Sequence, residues 1–423
     1  MKIKLKSMVS FLLIYMMLIE IFISVFHFPR TVRFIIDIIA LLLILFGGHK
    51  ISLAISDKEF SWYFRYILLF MVFMVMNGVF RLVPIGQILW AVRNNYLYIF
   101  FGIIMIYLLK VQDVEKMFEL FIKLQVVNVI MGTLEYFILH VQNDYLGGIF
   151  GIDQGCNANL NVYLTIINTY IICRYLYKKS SLKEIIWILG SSTYMAAISE
   201  LKVFYVELVI IIICAVLLNR KSMKGFLILL GGLIGLLIGI RVMLAVNPES
   251  INNLLSFSNM VDYNTRMDYG GGDLRISRLG STSQINRMFF KDNIFLKLFG
   301  MGLGACEDST SFAICNSTFA DHYRSLGYRN LTMSMNYLET GYIGIICFAV
   351  VFIWLFIIAG KMKNSMIQYK EMAVVCQIIC IMTILNFWYS SSIRMNASYL
   401  TFFCIMSVFV YYRYEMKEKC RDD

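Results

Sequence analysis

Charge is scarce in this chain. Asp, Glu, Lys and Arg make up 15% of its 423 residues, where a soluble domain carries about one-quarter. With 59% hydrophobic residues, an ordinary soluble domain is excluded and a polytopic membrane protein is expected. Several chemical signatures are missing as well. There is no CxxC pair and no His/Cys cluster, so no metal site is suggested. No Walker sequence occurs. Nucleic-acid binding would need a basic patch on a soluble domain, and the sequence has none. Met1 to Lys6 is basic and leads into an apolar run, but no small-x-small site follows. Phe11 to Phe28 therefore reads as an uncleaved first helix rather than a cleaved signal.

What is present is hydrophobic sequence in long continuous runs. Only helices and closed barrels satisfy backbone polar groups inside a bilayer, and continuous rather than alternating apolar runs select helices. The expected fold is an all-α polytopic integral membrane protein of about twelve transmembrane helices. The spans read as 8–27, 33–49, 62–80, 92–109, 118–139, 160–177, 184–199, 201–218, 225–246, 333–360, 371–390 and 396–413. This divides the chain into nine helices in 1–246, one large polar loop in 247–332, and three helices with a tail in 333–423.

The net charge of +11 is unevenly placed. Lys2, Lys4, Lys6, Lys50, Lys58, Lys110, Lys116, Lys178, Lys179, Lys183, Arg220, Lys221, Lys224, Lys361, Lys363, Lys370, Lys417 and Lys419 fall in one set of loops. The opposite short loops hold Arg30, Arg33, Arg81, Arg93, Lys202 and Arg394. Retention of basic residues inside the cell makes the first set cytoplasmic. Both termini are then inside and the 247–332 loop outside, where no ATP is expected and any reaction must use an already activated substrate.

Charges in or beside the spans are costly, roughly 2.5–3.5 kcal/mol at a helix centre. Here they are Glu20, Asp37, Glu135, Glu200, Lys202, Glu207 and Arg241. Pairing inside the bundle or a place near an interface accounts for Glu20 and Asp37. Ser199-Glu200-Leu201-Lys202 falls at an external break between helices, so Lys202 sits at the outer rim, where an ammonium can pair with a lipid-linked phosphate or form a rim pair with Glu200. In the loop, Arg275 and Arg278 are spaced to share one helix face, and two guanidinium forks can grip a pyrophosphate. Arg266, Arg287, Arg324 and Arg329 stand in reserve. Phe299-Gly300-Met301-Gly302-Leu303-Gly304 lacks the βαβ context of a dinucleotide site and reads as tight backbone packing. His322 is a general-base candidate, with Glu307, Asp308, Asp321 and Glu339 as carboxylate alternatives. Cys306 and Cys315 could form a disulfide on an oxidising face.

Three stretches carry a likeness: Ser199-Glu200-Leu201-Lys202-Val203-Phe204, the Phe299–Gly304 run with its preceding arginines, and Met335-Asn336-Tyr337-Leu338-Glu339-Thr340-Gly341-Tyr342-Ile343-Gly344. With Asn157, Asn159 and Asn161 opening the sixth span, the chain resembles the O-antigen and capsule polymerase and O-antigen ligase superfamily of bacterial membrane glycosyltransferases. The resemblance implies a multi-pass protein of the bacterial plasma membrane acting on a polyprenyl-pyrophosphate-linked oligosaccharide, with no nucleotide sugar, cofactor or required metal. It implies transfer of the growing chain onto a new repeat unit (polymerase) or onto another acceptor (ligase), alongside a flippase and a chain-length regulator. It places Lys202 at the basic position facing the pyrophosphate and Arg275 or Arg278 at the loop arginine. Arg287, Arg266, Glu200, Asn157 and Asn159 are further candidate substrate contacts and His322 a candidate base. His322 lies several residues before the family's position, and the resemblance leaves the base unidentified. Ligases carry a His-Asn pair about eleven residues before the position of Gly341. Arg329-Asn330-Leu331 stands there instead, which favours the polymerase. A transporter would need internal repeats and broken mid-membrane helices, and no convincing repeat is present.

Overall fold

The computed structural model describes residues 4–141, 143–219, 275–309 and 312–422, with helical positions at 231, 235 and 241. The expected span 225–246, Arg266 and the rest of 220–274 therefore lie outside the described residues, those three positions apart. Among the described residues the secondary structure is helical throughout, without strands. The helices are α1 (Leu5–Val25), α2 (Phe34–Gly47), α3 (His49–Ile55), α4 (Ser61–Phe80), α5 (Ile85–Leu108), α6 (Val111–Phe137), α7 (Cys156–Leu176), α8 (Leu182–Ile198) and α9 (Lys202–Leu218). Three short ones follow, α10 (Ser281–Ile285), α11 (Ile294–Phe299) and α12 (Thr318–Tyr323). The chain closes with α13 (Thr332–Ser365), α14 (Lys370–Tyr389) and α15 (Ser398–Asp422).

Among the described residues six helices are long and apolar enough to cross a membrane: α1, α4, α5, α6, α13 and α14. A seventh is added if Arg30–Gly47 and His49–Ile55, bent by 66° at Gly48, count as one broken span. Large side chains such as Leu45, Trp62, Leu69 and Phe80 point outward from the bundle. Such a surface would be a liability in water and is the ordinary surface of a protein in lipid.

Several expected boundaries shift, and the reason is polar sequence inside helices. The 92–109 span begins at Ile85, because Gln87 and Asn95 are buried in the bundle and depress the apolar signal without ending the helix. The 118–139 span begins at Val111, where the Asp113 carboxylate accepts the Lys110 backbone N–H at 3.0 Å. A side chain that satisfies an orphan donor in this way starts a helix well before its apolar run.

The segment 275–331 packs through a small core of its own. Ile276, Ile285, Phe290, Cys306, Leu326 and Tyr328 are buried together with Met335, Tyr337 and Leu338 from the first turns of α13. A strap formed by Phe299–Gly304 then threads between α4, the start of α5 and α13. Gly300, Gly302 and Gly304 all have positive φ. A Cβ at Gly300 would fall 2.4 Å from the Glu339 carbonyl carbon, and one at Gly304 2.7 Å from the Gln87 carbonyl carbon. The run is thus tight backbone packing, as its lack of a nucleotide-site context suggests.

Opposite the strap, α13 is interrupted at Gly341, with φ 62° and ψ −162°. The interruption exposes main-chain carbonyls, and the strap supplies donors: Met301 N–H to Leu338 O at 2.8 Å and Gly302 N–H to Glu339 O at 2.9 Å. Asn77 Nδ2 on α4 donates to Phe299 O at 2.7 Å, and Arg81 Nη2 to Gly300 O at 3.2 Å. A Cβ at Gly341 would lie 2.5 Å from the Leu298 carbonyl. Gly341→Ala is therefore expected to cost at least roughly 1–3 kcal/mol from backbone strain alone, with the steric clash in addition. Its thermal midpoint in detergent should fall by several degrees, whereas Gly190→Ala, where a Cβ meets nothing within 4 Å, should leave the midpoint near that of the parent.

Candidate polar rim site

Helices α7, α9 and α14 pack against one another, and their adjacent ends form one rim. Here α8 turns into α9 through three residues. Leu201 N–H bonds Ala196 O at 2.9 Å, and the buried Ser199 Oγ donates to Met195 O at 2.6 Å. Glu200 takes φ 51°, a left-handed conformation uncommon outside glycine. This tight reversal places Lys202 as the first residue of α9, half-buried. Among the described residues its ammonium forms no salt bridge.

Helix α7 starts at the same rim. Asn157 Nδ2 donates to Asp144 Oδ1 at 2.9 Å. The Asn159 Oδ1 is buried without a hydrogen-bond partner among the described residues. One turn further in, the buried Asn161 donates to Glu207 Oε2 of α9 at 3.0 Å, and Thr165 Oγ donates to the same oxygen at 2.6 Å. Asn386 of α14 lies near enough to act on this carboxylate. At 1.5 Å per residue, Glu207 lies about 7–8 Å along α9 from Lys202, and Asn161 about 6 Å along α7 from Asn157.

Arg278 reaches the rim from the loop. Its Nε donates to Tyr389 O, the last residue of α14, at 3.3 Å, and its guanidinium lies 4.6 Å from the centre of the Tyr389 ring. Asn386 is three residues earlier on α14. One chain of contacts thus runs from Arg278 through Tyr389 and Asn386 to Glu207, whose own helix begins at Lys202. Lys202 and Asn157 lie in the first turns of α9 and α7, and Arg278 meets the end of α14, the three helices that carry the Glu207 cluster.

The remaining expected residues lie elsewhere. Arg275 and Arg278 do not share a helix face: residues 275–277 are not helical and 278–280 form a turn. The cause is local. Ile276 N–H is bonded to Leu326 O at 2.9 Å, and Ser277 N–H to the Gln284 side chain at 2.9 Å, so donors of a helical first turn are used outside it. Arg275 is exposed beside the Gly327 turn. Arg287 is exposed on a π-helical turn, Asn286–Phe290. His322 is exposed, with Nδ1 2.7 Å from Thr318 O of its own helix. Cys306 and Cys315 are free thiols, both buried; burial, then the nearby Glu339 and Glu307, pushes the Cys306 thiol far above its ordinary range. Glu20 and Asp37 each pair with an arginine, Arg33 at 2.6 Å and Arg93 at 2.8 Å. Glu135 accepts Gly148 N–H at 2.8 Å.

A second polar cluster involves an arginine that the sequence reading did not single out. Arg394, between α14 and α15, forms a salt bridge with Glu307, and only 10% of its side chain is exposed. The other Glu307 oxygen accepts from Asn94 Nδ2 at 3.1 Å. Glu339 accepts the Cys306 N–H at 3.2 Å and also lies close enough to act on Arg394. Burial alone would lower the Arg394 pKa, but Glu307 and Glu339 outweigh it and the group stands above its ordinary value. Beside Glu307, the buried Asp308 carboxylate bridges Arg324, at 2.9 Å, and Arg329. The Glu307 and Glu339 contacts fasten the loop to α5, α13 and the α14–α15 connection. The signal in the sequence was Arg394 itself, a basic residue kept in a short loop on the lysine-poor side.

The sequence matches no protein-family model and no curated protein. Among the described residues no group of three or more His, Cys, Asp or Glu side chains converges as a metal would require.

Proposed function

We propose that the chain polymerises polyprenyl-pyrophosphate-linked oligosaccharide repeat units into a surface polysaccharide at the outer face of a bacterial plasma membrane. The observation that carries this reading is the rim itself. Lys202 opens α9, which carries Glu207, and the Arg278 guanidinium stacks on Tyr389 at the end of α14, a helix packed against α9. The helices of 1–246 and 333–423 supply about twelve spans in this reading, with the termini and the lysine-rich loops inside. Pyrophosphate leaves readily when its charge is neutralised, and preorganised cations at the membrane surface provide that neutralisation. Lys202 and Arg278 hold the two phosphates while an acceptor hydroxyl attacks the anomeric carbon, and Asn157 and Asn159 line the approach. Proton removal by a general base adds about 10²–10⁴-fold in general.

Purified protein in lipid vesicles, given lipid-linked repeat unit alone, is expected to produce a ladder of lengthening lipid-linked glycans. Transfer only to a different acceptor lipid would make it a ligase. Movement of the substrate across the bilayer without a new bond would make it a transporter and overturn the proposal.

A further inference from the structure

The Glu207 cluster holds more than a pyrophosphate rim needs. Glu207 is fully buried on α9, and among the described residues no cation approaches its carboxylate. Its Oε2 accepts from Asn161 and Thr165, while its Oε1 has no hydrogen-bond partner meeting ordinary geometry. The Asn161 Oδ1 beside it is also buried and unpartnered. The groups come from three helices, α7, α9 and α14, that pack against one another. Beyond Thr165 and Asn386 lies a small cavity of about 10 Å³, lined also by Thr383, Ser392 and Thr401, on the order of one water-sized sphere. From it a line of polar groups leads to the rim: Ser390 Oγ is 2.8 Å from Ser392 Oγ and 3.5 Å from Asn386 Oδ1.

We propose that Glu207, Asn161, Thr165 and Asn386 form a binding site for a small monovalent cation of sodium size within the helix bundle. An ionised carboxylate in an apolar interior is strongly disfavoured unless a positive charge neutralises it. The donors are carboxylate, amide and hydroxyl oxygens, the hard ligands that group 1 and group 2 cations take. One carboxylate matches one positive charge, and the cavity has no room for a hydrated divalent ion. An ionisable residue inside a helix bundle is by default a candidate functional group. Because the bound ion would join three helices whose ends carry Lys202 and Tyr389, its binding stabilises the rim.

The test measures binding and does not depend on glycan chemistry. Purified full-length protein is expected to retain radioactive sodium saturably, displaced by unlabelled sodium and not by choline. Its thermal midpoint should rise with sodium chloride replacing choline chloride at constant ionic strength, since an ion bound by the folded state stabilises it by mass action. Glu207→Gln and Thr165→Val keep side-chain shape, and each should weaken retention by about tenfold or more. Equal behaviour in sodium and choline would overturn the proposal, as would sodium retention unchanged in Glu207→Gln. A response of the wild-type protein to pH alone, identical in both salts, would assign the carboxylate to a proton and equally overturn it. If a variant fails to fold, the wild-type comparison of sodium with choline still decides.

Discussion

Replacing Arg394 by alanine is expected to be among the most destabilising single changes outside the helix cores. The guanidinium is buried against Glu307, with Glu339 close by. Its removal leaves two buried carboxylates without their shared cation. Breaking a buried pair by deleting one partner typically costs about 3–5 kcal/mol, because the remaining charge is uncompensated. Fluorescence-detected size exclusion of the detergent-solubilised protein should show loss of the monodisperse peak or a large fall in its thermal midpoint. The double change Arg394→Met with Glu307→Gln removes charge from both sides and should recover part of the loss. If Arg394→Ala behaves like the parent, the cluster does not fasten the loop.

Lys202→Ala and Arg278→Ala carry the second large effect, on activity rather than folding. Each removes one cation from the proposed pyrophosphate site. Deleting one preorganised charge-stabilising donor at a transition state typically costs 10²–10³-fold in rate, roughly 2.7–4 kcal/mol. Long polymer should disappear in cells carrying either variant while the protein stays in the membrane at normal abundance. Arg278→Lys should not restore wild-type chain length, since a point ammonium lacks the planar fork and stacks poorly on the Tyr389 ring. Arg275→Ala and Arg287→Ala change exposed side chains away from α14 and are expected to have smaller effects. Unchanged polymer length in both Lys202→Ala and Arg278→Ala would sink the assignment of these residues.

The sequence exposes most of the helices because continuous apolar runs have a clear length scale. It conceals their starts wherever a helix carries buried polar groups, as at Gln87 and Asn95 on α5. The placement of Lys202 and of Asn157 to Asn161 at helix openings was legible, since the opening of a helix is visible as a break in hydropathy. The pairing of Arg275 with Arg278 was not. Spacing of three implies a shared face only if the segment is helical, and the hydrogen bonds that prevent a helix there come from Leu326 and Gln284, the former some 50 residues away in sequence. The Arg394 cluster needs three segments, around residues 94, 307 and 394, to meet. No local pattern encodes such a meeting, although an arginine retained on the lysine-poor side is the kind of residue that announces a partner.

The interruption of α13 at Gly341 also bears on biogenesis. The Leu338 and Glu339 carbonyls that it exposes are bonded by N–H groups of Met301 and Gly302, which lie on the preceding segment. Those donors are in place only after that segment has docked on α4 and α13. The final shape of α13 is therefore set by docking of the strap, and a chain whose strap has not docked lacks the bonds that hold the interruption. Seating of the strap and maturation of the helix become a single folding step.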